Sequence, residues 1–336
     1  MPSIKEVARL AGVSITTVSR VINNKGSVSK KSVDKVWEAV RLLNYQPNLL
    51  ARSLRSQQSK LLGLLVPDIR NSVFAIIAKH TEEIASKRGY NLIICNTGED
   101  AEKEKTYLEI LLQRQVEGII FSRVSDESLL FKTPQLSKVP YIVLDRTMEV
   151  EEAPTIKLDN YAAGVLAASH LLELGHQKFA CISGPLKIKI CRERLSGFLD
   201  TLGKKDLKIR KEFIQEGDFK IEGGRKAMEN LLAFPRDEYP TAIFIMNDLM
   251  AFGAIQKAKE KGLSLPEDIS IVGLDNIPLS EVFSPSLTTV AQPFDEMTKE
   301  GVYLLLKLIE NKKIRKKLIV IQPKLIIRSS TIPLKK

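Results

Sequence analysis

Ser3-Ile4-Lys5-Glu6-Val7-Ala8-Arg9-Leu10-Ala11-Gly12-Val13-Ser14-Ile15-Thr16-Thr17-Val18-Ser19-Arg20-Val21-Ile22-Asn23 sets two short amphipathic stretches around a single glycine. Ser3 and Glu6 have capping-box spacing: the hydroxyl can accept from the Glu6 amide while the carboxylate reaches back, so a helix is expected to start there. Ile4, Val7, Ala8 and Ala11 share one face of it, and Gly12 suits the tight turn that follows because it lacks a side chain. Ser14 caps a second helix whose apolar positions, Val18, Val21 and Ile22, lie together at helical spacing. Thr16, Arg20 and Asn23 face the other way, with Ile15 near the exposed N-terminal end. Two short helices joined by so brief a turn have helix-turn-helix geometry. Beyond Asn24-Lys25-Gly26, Ser29 can cap a third helix with Val33, Val36, Trp37, Val40 and Leu43 on its inner face.

The chain has 336 residues and a formal charge of +11, unevenly placed. Residues 1–60 carry eleven Lys and Arg against three acids (Glu6, Asp34 and Glu38), a balance of +8 that leaves +3 for the other 276. Because this basic segment also has strong apolar periodicity, nucleic-acid contact is a better reading than a solvated tail. Thr16 and Arg20, one turn apart, can both enter a major groove, where Arg donates two bonds to guanine and Thr contacts a base or phosphate. Gln46-Pro47-Asn48 then interrupts the helical pattern. Asn48 can cap the segment 49–55, which is shorter than the roughly 12 to 15 residues that are marginal for an isolated helix. It is expected to fray until something supports it.

From Leu61 the texture changes to short apolar runs, at 61–66, 91–95, 118–121, 141–144, 179–182, 242–246 and 270–274, separated by longer helical stretches. Such alternation means right-handed βαβ units and parallel sheets covered on both faces. The length exceeds the roughly 250 to 300 residues at which one core divides, so two successive α/β subdomains are expected. Cys95, Cys181 and Cys191 are odd in number and form no C-x-x-C pair, which argues against a disulfide framework or zinc ribbon and for a reducing compartment. No apolar run reaches the roughly 18 residues of a membrane span, and the first six residues lack a signal-peptide core. A soluble, cytoplasmic protein without membrane contact is expected.

Catalytic patterns are missing: there is no G-x-x-x-x-G-K-[ST], no G-x-G-x-x-G, no H-E-x-x-H and no G-x-S-x-G. No catalytic residue, metal or cofactor is assigned. His80, His170 and His176 have no ligand spacing with a cysteine; surface or helix-end positions are expected for the last two, and inert core positions for the cysteines. Ligand binding has better support, since ligands of parallel α/β sheets sit beyond the carboxyl ends of the strands. Polar residues follow four of the apolar runs: Asp68 and Asn71, Asp145-Arg146, Asn247-Asp248 and Asp275-Asn276. Each alone would pass as a loop cap; together they suggest a polar cleft.

The opening string, with Asn44-Tyr45-Gln46-Pro47-Asn48 and Ala51-Arg52-Ser53-Leu54, resembles the signature of the LacI/GalR family of bacterial repressors. The resemblance continues through Val116-Glu117-Gly118-Ile119-Ile120, Leu174-Gly175-His176, Arg194-Leu195-Ser196-Gly197-Phe198, Asn247-Asp248-Leu249-Met250-Ala251, Val272-Gly273-Leu274-Asp275-Asn276 and Leu287-Thr288-Thr289-Val290. It implies an N-terminal all-α helix-turn-helix head (1–46), a hinge helix and linker (47–60), and an α/β periplasmic-binding-protein-like effector domain of two parallel-sheet subdomains (61–336). The subdomains would take about 61–160 with 292–322, and about 161–291 with 323–330. The resemblance further implies a homodimer or higher oligomer on a near-palindromic double-stranded DNA operator, controlled by a small-molecule effector. Ile15, Thr16 and Arg20 then take base-reading positions. Leu54 takes that of a hinge leucine that wedges into the minor groove and kinks the duplex. Ser14, Thr17, Asn23, Arg52 and Arg55 complete the assigned DNA contacts.

For the effector, the resemblance assigns Arg194, Asn247 and Asp275, with Phe74 and Phe219 at stacking positions. Asn71, Asp145 and Arg146 join them from the strand-end argument. Arg194 and Asp275 can serve the hydroxyls of a sugar as donor and acceptor. Asp145-Arg146 is similar to the sugar-binding members and differs from the purine-binding branch, which points to a sugar or sugar acid. The basic and apolar stretch Lys187-Ile188-Lys189-Ile190-Cys191-Arg192 keeps a sugar phosphate in view. Glu117 and Gln46 stand where the family usually has Asp and Arg. Two other classes compete. A sugar-binding transport protein fits the last 275 or so residues, and the basic head opposes it. A sugar-modifying enzyme lacks a nucleophile with its base.

Overall fold

The computed structural model describes residues 2–22, 26–45, 58–122, 136–145, 153–314 and 316–334, in two compact units, Met1–Ser59 and Lys60–Lys336. In the first unit the capping box starts α1 (Ile4–Ala11): the Ser3 amide donates to Glu6 Oε2 at 2.7 Å, and Ser3 Oγ accepts from the Glu6 amide. Gly12, left-handed at φ 64°, ends it, and the Val13 amide closes the turn on Ala8 O at 3.1 Å. Next come α2 (Ile15–Ile22) and α3 (Lys30–Leu42), the latter capped by Ser29. Val7, Ala8, Ala11, Val18, Val21, Val36 and Ala39 form the core. Trp37 is not part of it, being 43% exposed. The inward stripe of α3 runs through Val33, Val36, Ala39, Val40 and Leu43, and Trp37 falls at its edge, so the indole stays on the flank of the helix.

The second unit is built on two six-stranded sheets. The first contains β1 (Leu61–Val66), β2 (Asn91–Asn96), β3 (Gly118–Phe121), β4 (Tyr141–Leu144), β5 (Thr155–Leu158) and β11 (Leu318–Ile321). Their order is β11-β5-β4-β3-β1-β2, all parallel. The second contains β6 (Phe179–Ser183), β7 (Ile214–Glu216), β8 (Ala242–Ile245), β9 (Ser270–Asp275), β10 (Thr288–Ala291) and β12 (Lys324–Ile326). Its order is β12-β10-β9-β8-β6-β7, parallel except for the antiparallel β10–β12 pair. The seven apolar runs are all strands. The five additional ones are three or four residues long, and most mix in polar residues such as Lys157, Gln215, Thr288 or Lys324.

Helices connect the strands: α4 (Ser72–Ser86) after β1, α5 (Ala101–Gln113) after β2, α6 (Asn160–Glu173) after β5, and α7 (Lys189–Gly203) after β6. Then come α8 (Ile221–Leu231), α9 (Asp248–Glu260), α10 (Leu279–Val282) and α11 (Phe294–Ile309). The chain passes between the sheets three times: from β5 through α6 to β6, from β10 through α11 to β11, and directly from β11 to β12. Two helix pairs cross at glycines. A Cβ on Gly164 of α6 would fall on the Arg194 carbonyl oxygen of α7, and one on Gly197 of α7 on the Tyr161 carbonyl oxygen of α6. Gly224 of α8 and Gly253 of α9 repeat the arrangement. Helices that touch backbone to backbone leave little freedom for the side chains they carry toward the sheet ends.

His170, in the last turn of α6, and His176, just beyond it, stand at the helix end as expected, but both are buried rather than on the surface. His170 Nε2 lies 3.0 Å from Thr331 Oγ1; His176 Nδ1 lies 3.0 Å from Thr241 Oγ1 and its Nε2 3.1 Å from Ile332 O. They fasten the C-terminal segment to α6 and the second sheet. All three cysteines are buried and none is in a disulfide, in line with the reading from the sequence. Among the described residues no helix is long and apolar enough to cross a membrane.

Candidate functional site

On the first unit, α2 turns Ile15, Thr16 and Arg20 to solvent while Val18 and Val21 are buried. Ser14 and Thr17 are used locally: Ser14 Oγ accepts from the Thr17 amide at 3.0 Å and lies 2.9 Å from Thr17 Oγ1. With no acid in the first turn of α2, its N-terminal amides suit a phosphate and its exposed face suits base edges. Asn23, Arg52, Leu54 and Arg55 lie outside the described residues.

In the second unit a narrow cleft is lined by Asn71, Val73, Phe74, Asp145, Ile190, Arg194, Phe219, Asn247, Asp275 and Gln292. Both sheets supply it from their strand ends. Asn71 caps α4 behind β1, its Oδ1 accepting from the Val73 amide, and this presents Val73 and Phe74. Asp145 follows β4, Asn247 follows β8, Asp275 ends β9 and Gln292 follows β10. Arg146 lies outside the described residues.

The polar groups are held as tightly as buried charges require. Arg194 is 2% exposed; its Nε donates to Asn160 Oδ1 at 2.8 Å and its Nη1 to Met246 O at 2.9 Å. Gln292 Nε2 donates to Asp275 Oδ1 at 2.6 Å. Asn247 both caps α9, accepting from the Met250 amide at 3.0 Å, and donates to Phe219 O at 2.9 Å. Asp145, Phe219 and Asp275 have left-handed backbones, with φ of 72°, 65° and 122°. Such conformations cost free energy and collect at functional sites. Burial pushes the Asp275 carboxyl well above the usual carboxylate range; nearby Asp248 adds to this, and Arg194 and Gln292 oppose it. Among the described residues no donor reaches the buried acceptor Gln292 Oε1.

Of the strand-end residues read from the sequence, Asn71, Asp145, Asn247 and Asp275 meet on this cleft, together with Phe74, Arg194 and Phe219. Asp68 instead pairs with Arg70 at 2.7 Å, and Asn276 accepts from Arg328 Nη2 at 2.8 Å. Within the basic stretch only Ile190 lines the cleft. Arg192 turns away, its Nη1 donating to Leu186 O and Lys187 O. Sequence reasoning missed Gln292, Asn160 and Val73, and named Ile190 only within the basic stretch. Gln292 obeys the strand-end rule, but its strand, β10, went unrecognised.

Residues 3–48 match the pattern of bacterial regulatory proteins of the lacI family, and residues 168–331 that of a periplasmic binding protein-like domain. The chain is 39% identical over 333 residues to the HTH-type transcriptional repressor PurR of Aliivibrio fischeri (strain MJ11), covering 99% of each. With the PurR of Vibrio campbellii it shares 36% over 332 residues, 98% of each. Among solved structures it is similar to the lac repressor dimer bound to operator and the anti-inducer ONPF, with TM-score 0.87, 30% identity, and 98% of this chain and 99% of that one covered. It is also similar to CcpA of Lactococcus lactis, with TM-score 0.75, 28% identity, and 81% and 98% covered.

Proposed function

Since the chain belongs to the lacI family of bacterial regulatory proteins and is a DNA-binding transcriptional repressor rather than an enzyme, we propose that α2 reads its operator and the cleft binds the controlling effector. Ile15, Thr16 and Arg20 contact base edges, and the basic charge of residues 1–60 meets phosphates. Residues 47–60 act as the hinge, with Leu54 in the minor groove. The protein works in the cytoplasm as a homodimer on a near-palindrome. Effector and operator affinities are then reciprocally coupled, typically by about 1 to 3 kcal/mol.

The observation that carries the effector reading is the cluster of buried polar groups around the cleft, Asp145, Arg194, Asn247, Asp275 and Gln292, in which no donor among the described residues reaches Gln292 Oε1. A buried acceptor without a donor is costly, and a ligand hydroxyl or N–H removes that cost. Among the described residues Asp145 and Asp275 face a single arginine, so a neutral, donor-rich molecule fits better than an acid or phosphate. We infer a neutral sugar, its hydroxyls on Asp145, Arg194, Asn247 and Asp275 and its C–H face on Phe74 or Phe219. A flat nucleobase is the second reading. It is favoured by the two phenylalanines on one small cleft, and it fits a chain whose relatives carry the name PurR.

A thermal-shift screen of sugars, sugar acids, sugar phosphates and nucleobases tests this, because a ligand that binds only the folded state raises its melting temperature. A neutral sugar is expected to raise it in the native chain and not in Asp275→Ala. A shift from nucleobases alone selects the second reading. A shift that survives Asp275→Ala removes the cleft.

A further inference from the structure

Behind the cleft lies an acid that does not line it. Asp248, the first residue of α9, is fully buried. Its Oδ2 accepts from Ser280 Oγ at 2.6 Å and from the Ile277 amide at 3.0 Å; its Oδ1 accepts from Thr289 Oγ1 at 2.6 Å. All three donors are neutral. Space for the carboxylate comes from Gly273 of β9, where a Cβ would collide with Asp248 Oδ1. The donors lie just beyond Asp275 and on the neighbouring strand β10. Asp275 and Asn276 have φ of 122° and 59°, and such backbones persist only where the surroundings over-determine them.

We propose that Asp248 is the positioning residue of the cleft: its carboxylate pins the turn that presents Asp275 and sets the charge Asp275 offers to a ligand. Asp248 is the largest electrostatic influence on Asp275 after burial itself, ahead of Arg194 from α7, Gln292 after β10 and Asp145 after β4. Burial pushes Asp248 up to about 6, and its hydrogen bonds from Ser280, Thr289 and the turn amides resist that rise. Near neutral pH it therefore bears a charge that disfavours a second one on Asp275.

The test needs no ligand. A carboxyl whose pKa is raised by folding contributes stability at low pH that is lost as pH rises through the folded value. Asp275→Asn in the full chain should therefore stabilise increasingly as pH rises, and the pH at which that gain levels off reports the Asp275 proton of the folded chain. Thermal unfolding from about pH 5 to about pH 9 is measured for the native chain, Asp275→Asn, Asp248→Asn and the double variant. In the Asp248→Asn background the levelling-off point is expected to fall by about one pH unit. Thr289→Val, with and without Asp275→Asn, is a second variant. It takes one bond from the Asp248 carboxylate, weakens its charged form and should move the levelling-off point the same way, and it decides the matter if Asp248→Asn does not fold. A levelling-off point unmoved in the folded variants overturns the proposal. Its consequence for repression rests on the effector reading above, but the two fail separately: an unmoved levelling-off point leaves the screen's result standing, and a silent screen leaves the titration standing.

Discussion

Gln292 Nε2 donates to Asp275 Oδ1 at 2.6 Å across the ends of the paired strands β10 and β9. Gln292 is the first residue of the passage from the second sheet toward α11. On the other passage Arg194 Nε donates to Asn160 Oδ1, and Asn160 begins α6, which leads out of the first sheet. Gln322, in the third passage, donates to Asp159 beside it at 3.3 Å. Two ionisable groups of the cleft are thus each bonded to a segment that carries the chain between sheets. A ligand that re-directs Asp275 or Arg194 acts directly on those segments, the kind of element on which domain closure turns.

Gln292→Ala should weaken effector binding. It removes a hydrogen bond to a buried carboxyl group, worth about 0.5 to 1.5 kcal/mol, and an acceptor the ligand would use. It also removes a bond that holds the Asp275 carboxyl down, so the carboxyl should rise further. Calorimetric titration with a compound that scores in the thermal-shift screen measures this; unchanged affinity would take Gln292 out of the site.

Gly164→Ala is expected to destabilise, although alanine is normally the better helix former by about 1 kcal/mol. The added methyl meets the Arg194 carbonyl oxygen, and forcing atoms into a packed contact costs about 1 to 3 kcal/mol. Gly203→Ala, at the end of α7 with nothing within 4 Å of the new Cβ, should be neutral or mildly stabilising. Urea unfolding of both variants checks the contrast, and equal behaviour would mean the crossing can give way.

The head was legible because its signals are local: the Ser3–Glu6 box, Gly12 and a 3.6-residue apolar period all lie within 23 residues. Asn71, Asp145, Asn247 and Asp275 were legible because a polar residue after an apolar run marks a strand end. Gln292 was not, since Thr288 and Thr289 break the apolar signature of β10. The burial of the histidines was misread for a different reason. Their partners Thr331 and Thr241 stand 161 and 65 residues away, and nothing in a local pattern reports a partner so distant. Asp248 was visible as strand-end punctuation, but its direction, away from the cleft, is a property of the packed turn.

Acidification should loosen the C-terminal segment first. Burial holds His170 and His176 below 6.5, so folding favours their neutral forms. Between the folded values and 6.5 the unfolded chain binds more protons, so stability is full above about pH 6.5 and falls as pH drops through that window. Hydrogen exchange at the Ile332 and Leu334 amides, bonded to Ser270 Oγ and Leu174 O, should accelerate there once corrected for intrinsic rates. His170→Gln with His176→Gln should remove the acid response; a response that persists would assign it to other groups.

Arg20 and Ser14 sit six residues apart on the reading helix and should fail in different ways. Ser14 Oγ is engaged with Thr17, so Ser14→Ala removes a helix cap worth about 1 kcal/mol and should act through folding. It lowers melting of the head and weakens specific and nonspecific DNA alike. Arg20 is exposed on the outer face, so Arg20→Ala should leave melting unchanged. It should relax preference at one base pair per half-site by about 1 to 3 kcal/mol if the guanidinium holds a guanine. Selection of binding sites from a random DNA pool, run beside thermal unfolding, separates the two. If Arg20→Ala selects the same sites as the native chain, the specificity resides elsewhere on α2, and Ile15 and Thr16 become the next positions to change.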